Sequence, residues 1–428
     1  MAPRFRRPDA VDAQPLGFLD KIGRPFEVFV GDPEPDGYRA SLQRRSFERI
    51  MPRPERPVYC GTITQPERPM PSPETRSRFR AEDLRAFTAA VFVHFGVPAE
   101  DAEIAAEVLV DADLGGIESH GIAHLGAHRG YAPGLRTGIV NPRPHVRILR
   151  DSPVAATWDA DAGLGVLTSK NAMDACIAKA QATGIGMITV TNGRHFGAAG
   201  YYAHMAAKHD LIGMAMCNVP PIAVAAGGRD RVYGTNPIAF GAPIEGQAPF
   251  LLDIATTTVA GGKLEIAMRQ GKPIPAGWAV DADGNDATSP RALAAGGALL
   301  PLGSRLETSS HKGYGLGLMV DILTGVLSGL GSGLFMDRPT LVQAHWFAAW
   351  RIDAFRDLAE FKADMARLVD AIRATRPEPG REAVLIPGDL EHRARAEREA
   401  HGIPLDSETI DQLSALSAEA GTAWPHAL

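Results

Sequence analysis

From residue 81 the apolar positions fall at helical spacing. AEDLRAFTAAVFVHFG (81–96) and DAEIAAEVLVDADLGGI (101–117) repeat apolar side chains three and four apart, with Ile104, Val108, Leu109 and Ala112 on one face. This predicts two helices that each bury one side. A connection, GLRTGIVNPRPH (134–145), leads to VRILRDSPVAATWDADAGLG (146–165), which alternates as strands do. Helix and strand patterns then take turns. KNAMDACIAKAQATG (170–184) and GYYAHMAAKHDL (200–211) read as helices, while IGMITVTN (185–192), IGMAMCN (212–218), IAFGAP (238–243) and PFLLDIATT (249–257) read as strands. HKGYGLGLMVDILTGVLSGL (311–330) reads as a glycine-fronted buried helix, and polar helical sequence follows Arg351. The alternation predicts an α/β chain with a mixed sheet flanked by helices.

Residues 1–80 break this pattern. Thirteen of the 33 prolines lie there, with fifteen Lys and Arg against eleven Asp and Glu. Each proline removes a donor and pushes its predecessor out of the α region, so no long element forms and an irregular extension is expected. The whole chain has 428 residues, 45% hydrophobic, with net charge −6. That is enough for a real core, and basic residues form no run with interleaved aromatics, which argues against a nucleic-acid partner. The three cysteines, Cys60, Cys176 and Cys217, are far apart and none belongs to a CxxC pair. A reducing cytoplasm is the expected compartment. No apolar window is long enough to span a membrane, and the N-terminus lacks the apolar core of a secretory signal.

Chemistry concentrates in a few short stretches. SHGIAHLGAH (119–128) sets His120, His124 and His128 four residues apart, which on one helix places them on a common face. The first and last then stand about 12 Å apart along the axis, too far for three imidazoles to converge on one ion. Gly121 occupies the place of the glutamate in HExxH, so no metal site is expected. Neither a G-x-G-x-x-G fingerprint nor a P-loop occurs. Instead TNGRHFGAAGYY (191–202), DIATT (253–257) and SHKGYG (310–315) put small residues where strands are expected to meet helices, and such junctions expose N–H groups to phosphate.

Taken in order, SHG (119–121), NGRHFGAAGYY (192–202), YGTNPIAF (233–240), LDIATTTVAGGK (252–263), GKPIPAGWAVDADG (271–284) and SSHKGYGLGLMVDILTGVLSG (309–329) resemble the malate/L-lactate dehydrogenase family. Its members are NAD(P)-dependent oxidoreductases whose nucleotide fold is not of the Rossmann type. The resemblance runs from about Glu74 to about Leu416. It implies a homodimer, a small carboxylic acid substrate and NAD or NADP as cofactor. It leaves the proline-rich extension (1–75) unexplained and divides the rest into a helical segment carrying SHG (76–150), a nucleotide-binding α/β region (151–310), and a C-terminal segment completing the main domain (311–428).

Oxidising a 2-hydroxy acid needs a base for the hydroxyl proton, and histidine suits this because its pKa lies near working pH. The resemblance assigns proton handling to Ser119, His120 and His195. It places substrate contacts at His124, His128, Thr235 and Asn236. Cofactor contacts fall at Phe196, Gly197, Ala198, Ala199, Asp253, Ile254, Ala255, Lys312, Gly313 and Tyr314. Two positions depart from the pattern: relatives usually have arginine at 124 and often tyrosine at 128, where this chain has histidines. A histidine at 124 charges only part of the time, so KM for the acid is expected to rise above about pH 7. Two further readings stand beside this one: reduction of a C=N bond in a cyclic imino acid, and a non-catalytic nucleotide-binding relative.

Overall fold

A computed structural model describes residues 76–128, 130–336 and 341–428. The extension expected over 1–75, with Cys60, lies outside the described residues.

The central element is a seven-stranded sheet. Its strands run, edge to edge, Arg147–Asp151, Ala155–Asp159, Ile185–Gly193, Gln343–Arg351, Leu211–Cys217, Ile238–Ala242 and Phe250–Ile254. Only Ala155–Asp159 and Ile185–Gly193 pair in parallel, joined by the Gly165–Thr183 helix as crossover; every other pairing is antiparallel. The middle strand comes from the C-terminal part of the chain. This is the mixed sheet expected from the alternation, and it is unlike the parallel sheet of a Rossmann domain.

Both faces of the sheet are covered. Helices Gly165–Thr183 and Ala199–Lys208 bury Ala172, Met173, Cys176, Ala203 and Ala206 against Ile188, Val190, Ala215 and Phe347. On the other face Val320 of helix Ser310–Asp321 packs with Met216, Ile238 and Trp346. Gly184, at φ 97°, ends the first of these helices in a left-handed turn that a side chain would strain. A helical layer stands beside the sheet, in which Ala81–His94 and Ala99–Leu114 enclose Leu84, Phe87, Phe92, Val108 and Leu109. Leu413 and Leu416 of the Ser407–Ala420 helix close that core. A smaller five-stranded sheet, built from short strands between Ala223 and Leu299, forms a third body.

Two local expectations are corrected. The 311–330 stretch is not a buried helix throughout. After Ser310–Asp321 it continues as a π-helical turn, Ile322–Val326, and only one side faces the sheet. Ile322, Val326 and Leu327 are each more than half exposed. The second correction concerns SHGIAHLGAH, which is not one helix. A 3-10 turn, Glu118–His120, is followed by an extended Gly121, a single helical turn Ala123–Gly126, and a new helix Tyr131–Arg136.

Candidate active site

The break at Gly121 has a buried cause. A side chain there would collide with the carboxyl group of Asp113, which sits beneath the turn and accepts a hydrogen bond from Ile122 N at 2.8 Å. Asp113 is 1% exposed, and burial pushes its carboxyl up to about 7. The SHG turn is therefore wrapped around a carboxyl group. Ser119 Oγ lies 2.9 Å from His120 Nδ1, and the chain then folds back so that His124 approaches the same place.

His195 arrives from the loop between strand Ile185–Gly193 and helix Ala199–Lys208. The first residue of helix Gly165–Thr183 fixes that loop from behind, because a Cβ at Gly165 would overlap the Arg194 and His195 carbonyls. Three imidazoles meet as a result. His195 stacks on His124 with ring centres 4.2 Å apart and on His120 at 5.4 Å. Tyr131 completes the group: its hydroxyl is 2.8 Å from His195 Nδ1, and its ring meets His124 edge-on at 5.3 Å. Gly197 N also lies 3.4 Å from Nδ1, so both contacts engage Nδ1 and Nε2 is left for a ligand.

Burial disfavours the charged form of all three rings. It lowers the pKa of His120, holds His124 down to about 4, and puts His195 well below the ordinary histidine range, where the neighbouring rings lower it further. The site is a wall of neutral imidazoles. This corrects the expected pH dependence: His124 is already neutral across pH 6 to 8.5, so it contributes no rise in KM there. Nor does Arg194 supply an obvious counter-charge, because its Nε and Nη1 donate to the carbonyls of Ile139 and Gly193 at 2.8 Å each.

His128, expected as a substrate contact beside His124, is exposed, and the ring that lies against His124 on that side is Tyr131. The helical turn ends at Ala127, whose backbone is extended, so the helical spacing that would set His128 beside His124 does not hold. Among the described residues no group of three His, Cys, Asp or Glu side chains is placed to hold a metal.

The remaining predicted residues divide into three places. Gly197, Ala198 and Ala199 form the backbone entering helix Ala199–Lys208, where Gly200 N donates to Asp253 Oδ2 at 2.7 Å. Burial raises the Asp253 carboxyl to about 6. Ile254 and Ala255 follow it, half-buried, but no helix starts until Gly261, so the strand–helix junction expected at DIATT is absent. Phe196 is core, stacked on His345 at 5.0 Å. Thr235 is half-buried and its carbonyl accepts from Thr256 N. Asn236 is fully buried at φ 37°, and its side chain accepts from Val219 N and donates to Gly317 O. That amide ties three segments together, which leaves little of it for a ligand. Lys312 is exposed, Gly313 packs against Leu302, and the Tyr314 ring lies 5.9 Å from Tyr233.

Sequence reasoning missed Tyr131, Asp113 and His345. Tyr131 reads as an ordinary core aromatic in YAPGLR, and Asp113 as one more acid in a polar helix face. His345, whose Nε2 contacts Arg194 O at 3.0 Å, stands mid-strand 150 residues from the ring it supports, with no local signal.

Known proteins place this arrangement. A family model described as malate/L-lactate dehydrogenase matches residues 79–414. The chain is 40% identical to a malate dehydrogenase of Pyrococcus abyssi, over 81% of this chain and 96% of that one. It is 37% identical to an L-sulfolactate dehydrogenase of Methanocaldococcus jannaschii, over 80% and 97%. The solved malate dehydrogenase of Pyrococcus horikoshii superimposes with a TM-score of 0.75 at 38% identity, covering 83% of this chain and 98% of that one. With the family's motifs in order and its mixed sheet in place, the chain belongs to the malate/L-lactate dehydrogenase family.

Proposed function

We propose that this protein is an NAD(P)-dependent dehydrogenase interconverting a small 2-hydroxy acid and the corresponding 2-oxo acid, working as a homodimer in the cytoplasm. The wall of three stacked, neutral imidazoles carries the reading. A base for a hydroxyl proton must be uncharged before reaction, and burial keeps His120 and His195 in that form. Ser119 and Tyr131 each engage the Nδ1 of one ring, which orients its other nitrogen toward a ligand.

The residues present suit a dinucleotide. Asp253 offers an acceptor for ribose hydroxyls. Backbone around Ala198 and Ala199 and the helix start at Ser310, with Lys312 beside it, offer donors and positive ends for phosphate. When bound, the nicotinamide supplies the hydride exchanged with the carbinol carbon. The protein's own task is to hold that carbon near the imidazole wall and to move one proton between His120 or His195 and the substrate oxygen. Since His124 is neutral, it holds the carboxylate by hydrogen bonding rather than by charge. Lys263, exposed and next to Gly262, which lies against Ser119, supplies the counter-charge in this reading.

Apolar side chains left exposed along the 316–335 stretch support a second copy as partner. Ile322, Val326 and Leu327 are 55–57% exposed and Phe335 is 82% exposed. Reducing conditions suit the buried free thiols of Cys176 and Cys217.

The decisive variants are His120→Ala and His195→Ala. At least one should lose kcat by two or more orders of magnitude while cofactor affinity, read by quenching of protein fluorescence, stays within a fewfold. Turnover comparable to the native chain in both variants would sink the assignment.

A further inference from the structure

The tripeptide Arg194–His195–Phe196 is held by its carbonyls, each of which accepts from a buried side chain of a different element. Arg194 O accepts from His345 Nε2 at 3.0 Å, His195 O from the Tyr131 hydroxyl at 3.4 Å, and Phe196 O from the Tyr202 hydroxyl. Two of these donors also stack on the Phe196 ring, His345 with centres 5.0 Å apart and Tyr202 at 5.4 Å. The loop needs such a hold. Asn192 before it stands at φ 54° and Gly197 after it at φ 76°, so the chain enters and leaves through left-handed backbone, which an asparagine adopts at a cost that the surrounding contacts offset.

His345 differs from the two tyrosines in that both nitrogens of its ring are engaged. A carbonyl only accepts, so Nε2 carries the ring proton, and burial keeps the imidazole neutral, with its pKa held down to about 3. Nδ1 is therefore bare, and the buried Ser169 hydroxyl, 3.2 Å away on helix Gly165–Thr183, donates to it. The strand delivers this ring through an irregularity: the pairing of Gln343–Arg351 with Ile185–Gly193 slips between Gln343 and His345. Gly193 makes room for it, since a Cβ there would lie 2.6 Å from His345 Cε1. Wholly buried, His345 touches no substrate itself.

We propose that His345 is a positioning residue for proton transfer: its Nε2–H bond to the Arg194 carbonyl, in a tautomer held by Ser169, sets the peptide that carries His195 and so places that imidazole against Tyr131 and His124. This role rests on the proton handling proposed for His195 above. Its leverage comes from geometry, because a shift of about 1 Å at a reacting group can cost on the order of a hundredfold in rate.

Three variants of the full chain and two readouts test this. His345→Leu removes the donor, His345→Gln keeps an N–H that can reach the same carbonyl, and Ser169→Ala leaves the ring but releases its tautomer. With reduced cofactor and a 2-oxo acid, His345→Leu should lower kcat at least about tenfold while KM for both stays within about twofold, and His345→Gln should recover most of the loss. Ser169→Ala should fall between them, and it keeps the test readable should His345→Leu fail to fold. The second readout needs no turnover. In a proton–nitrogen correlation spectrum of the histidine rings, the signals of His195, identified by their loss in His195→Ala, should move in His345→Leu and Ser169→Ala and return toward their native positions in His345→Gln. Unmoved His195 signals, an unchanged kcat in His345→Leu, or a loss that glutamine does not recover overturns the proposal. A native chain that turns over no 2-oxo acid, yet shows the His195 shift, refutes the proposed function and leaves the hold of His345 on His195 standing.

Discussion

At the scale of single residues, the site depends on groups that keep histidines uncharged and oriented. Tyr131 is the clearest of these, since its hydroxyl is 2.8 Å from the same nitrogen of His195 that the Gly197 N–H reaches. Tyr131→Phe removes one net hydrogen bond, about 1 kcal/mol, so kcat should fall roughly five- to tenfold with little change in KM. Steady-state kinetics over pH 6 to 8.5 would check this, and the native KM should be flat over the same range if His124 is neutral. Asp113 gives a stability prediction. Its folded pKa, about 7, lies above the unfolded 3.8, so its contribution to stability is complete below about pH 4 and is lost as pH rises through 7. Asp113→Asn keeps an acceptor for Ile122 N but cannot ionise. Relative to the native chain the variant should gain stability between pH 4 and 8, on the order of a few kcal/mol. Urea denaturation at the two pH values reads the difference, and an unchanged difference would show that Asp113 is ionised without penalty.

At the scale of elements, periodicity located the helices and strands well and misjudged their continuity. The Gly165–Thr183 and Ala199–Lys208 helices and the strand between them lie where the apolar pattern put them, because each presents a long, regular buried face. SHGIAHLGAH is not a continuous helix, and what holds the extended Gly121 is not carried by local spacing: Asp113, six residues upstream of Ser119, packs so closely on it that no side chain fits there, and accepts from Ile122 N. The same holds for the 311–330 stretch. Its apolar run reads as buried, but half of that surface faces outward in the single chain. A partner copy is the proposed cover, and Phe335→Glu tests it. Light scattering should give twice the chain mass for the native protein and a single chain mass, or a strongly weakened dimer, for the variant. An unchanged dimer would place the interface elsewhere.

At the scale of the molecule, the class of fold followed from alternating patterns, but the sheet order did not. Nothing in QAHWFAAWR announces that residues 343–351 enter the centre of a sheet begun two hundred residues earlier. Long-range pairing is settled by which buried faces match, and here that strand brings His345 and Phe347 beneath the His195 loop. The candidate site was legible as a set of motifs, and His120, His124 and His195 do meet. Their charge state was not legible, because it arises from burial by elements distant in sequence. Turnover itself is the most direct measurement of the account. Purified protein is mixed with NADH or NADPH and a panel of 2-oxo acids and cyclic imines, and absorbance of the reduced cofactor is followed. Oxidation of the cofactor with at least one 2-oxo acid, abolished in His195→Ala or His120→Ala, is the predicted result. Turnover of cyclic imines alone, or cofactor binding without turnover of any compound, would contradict it.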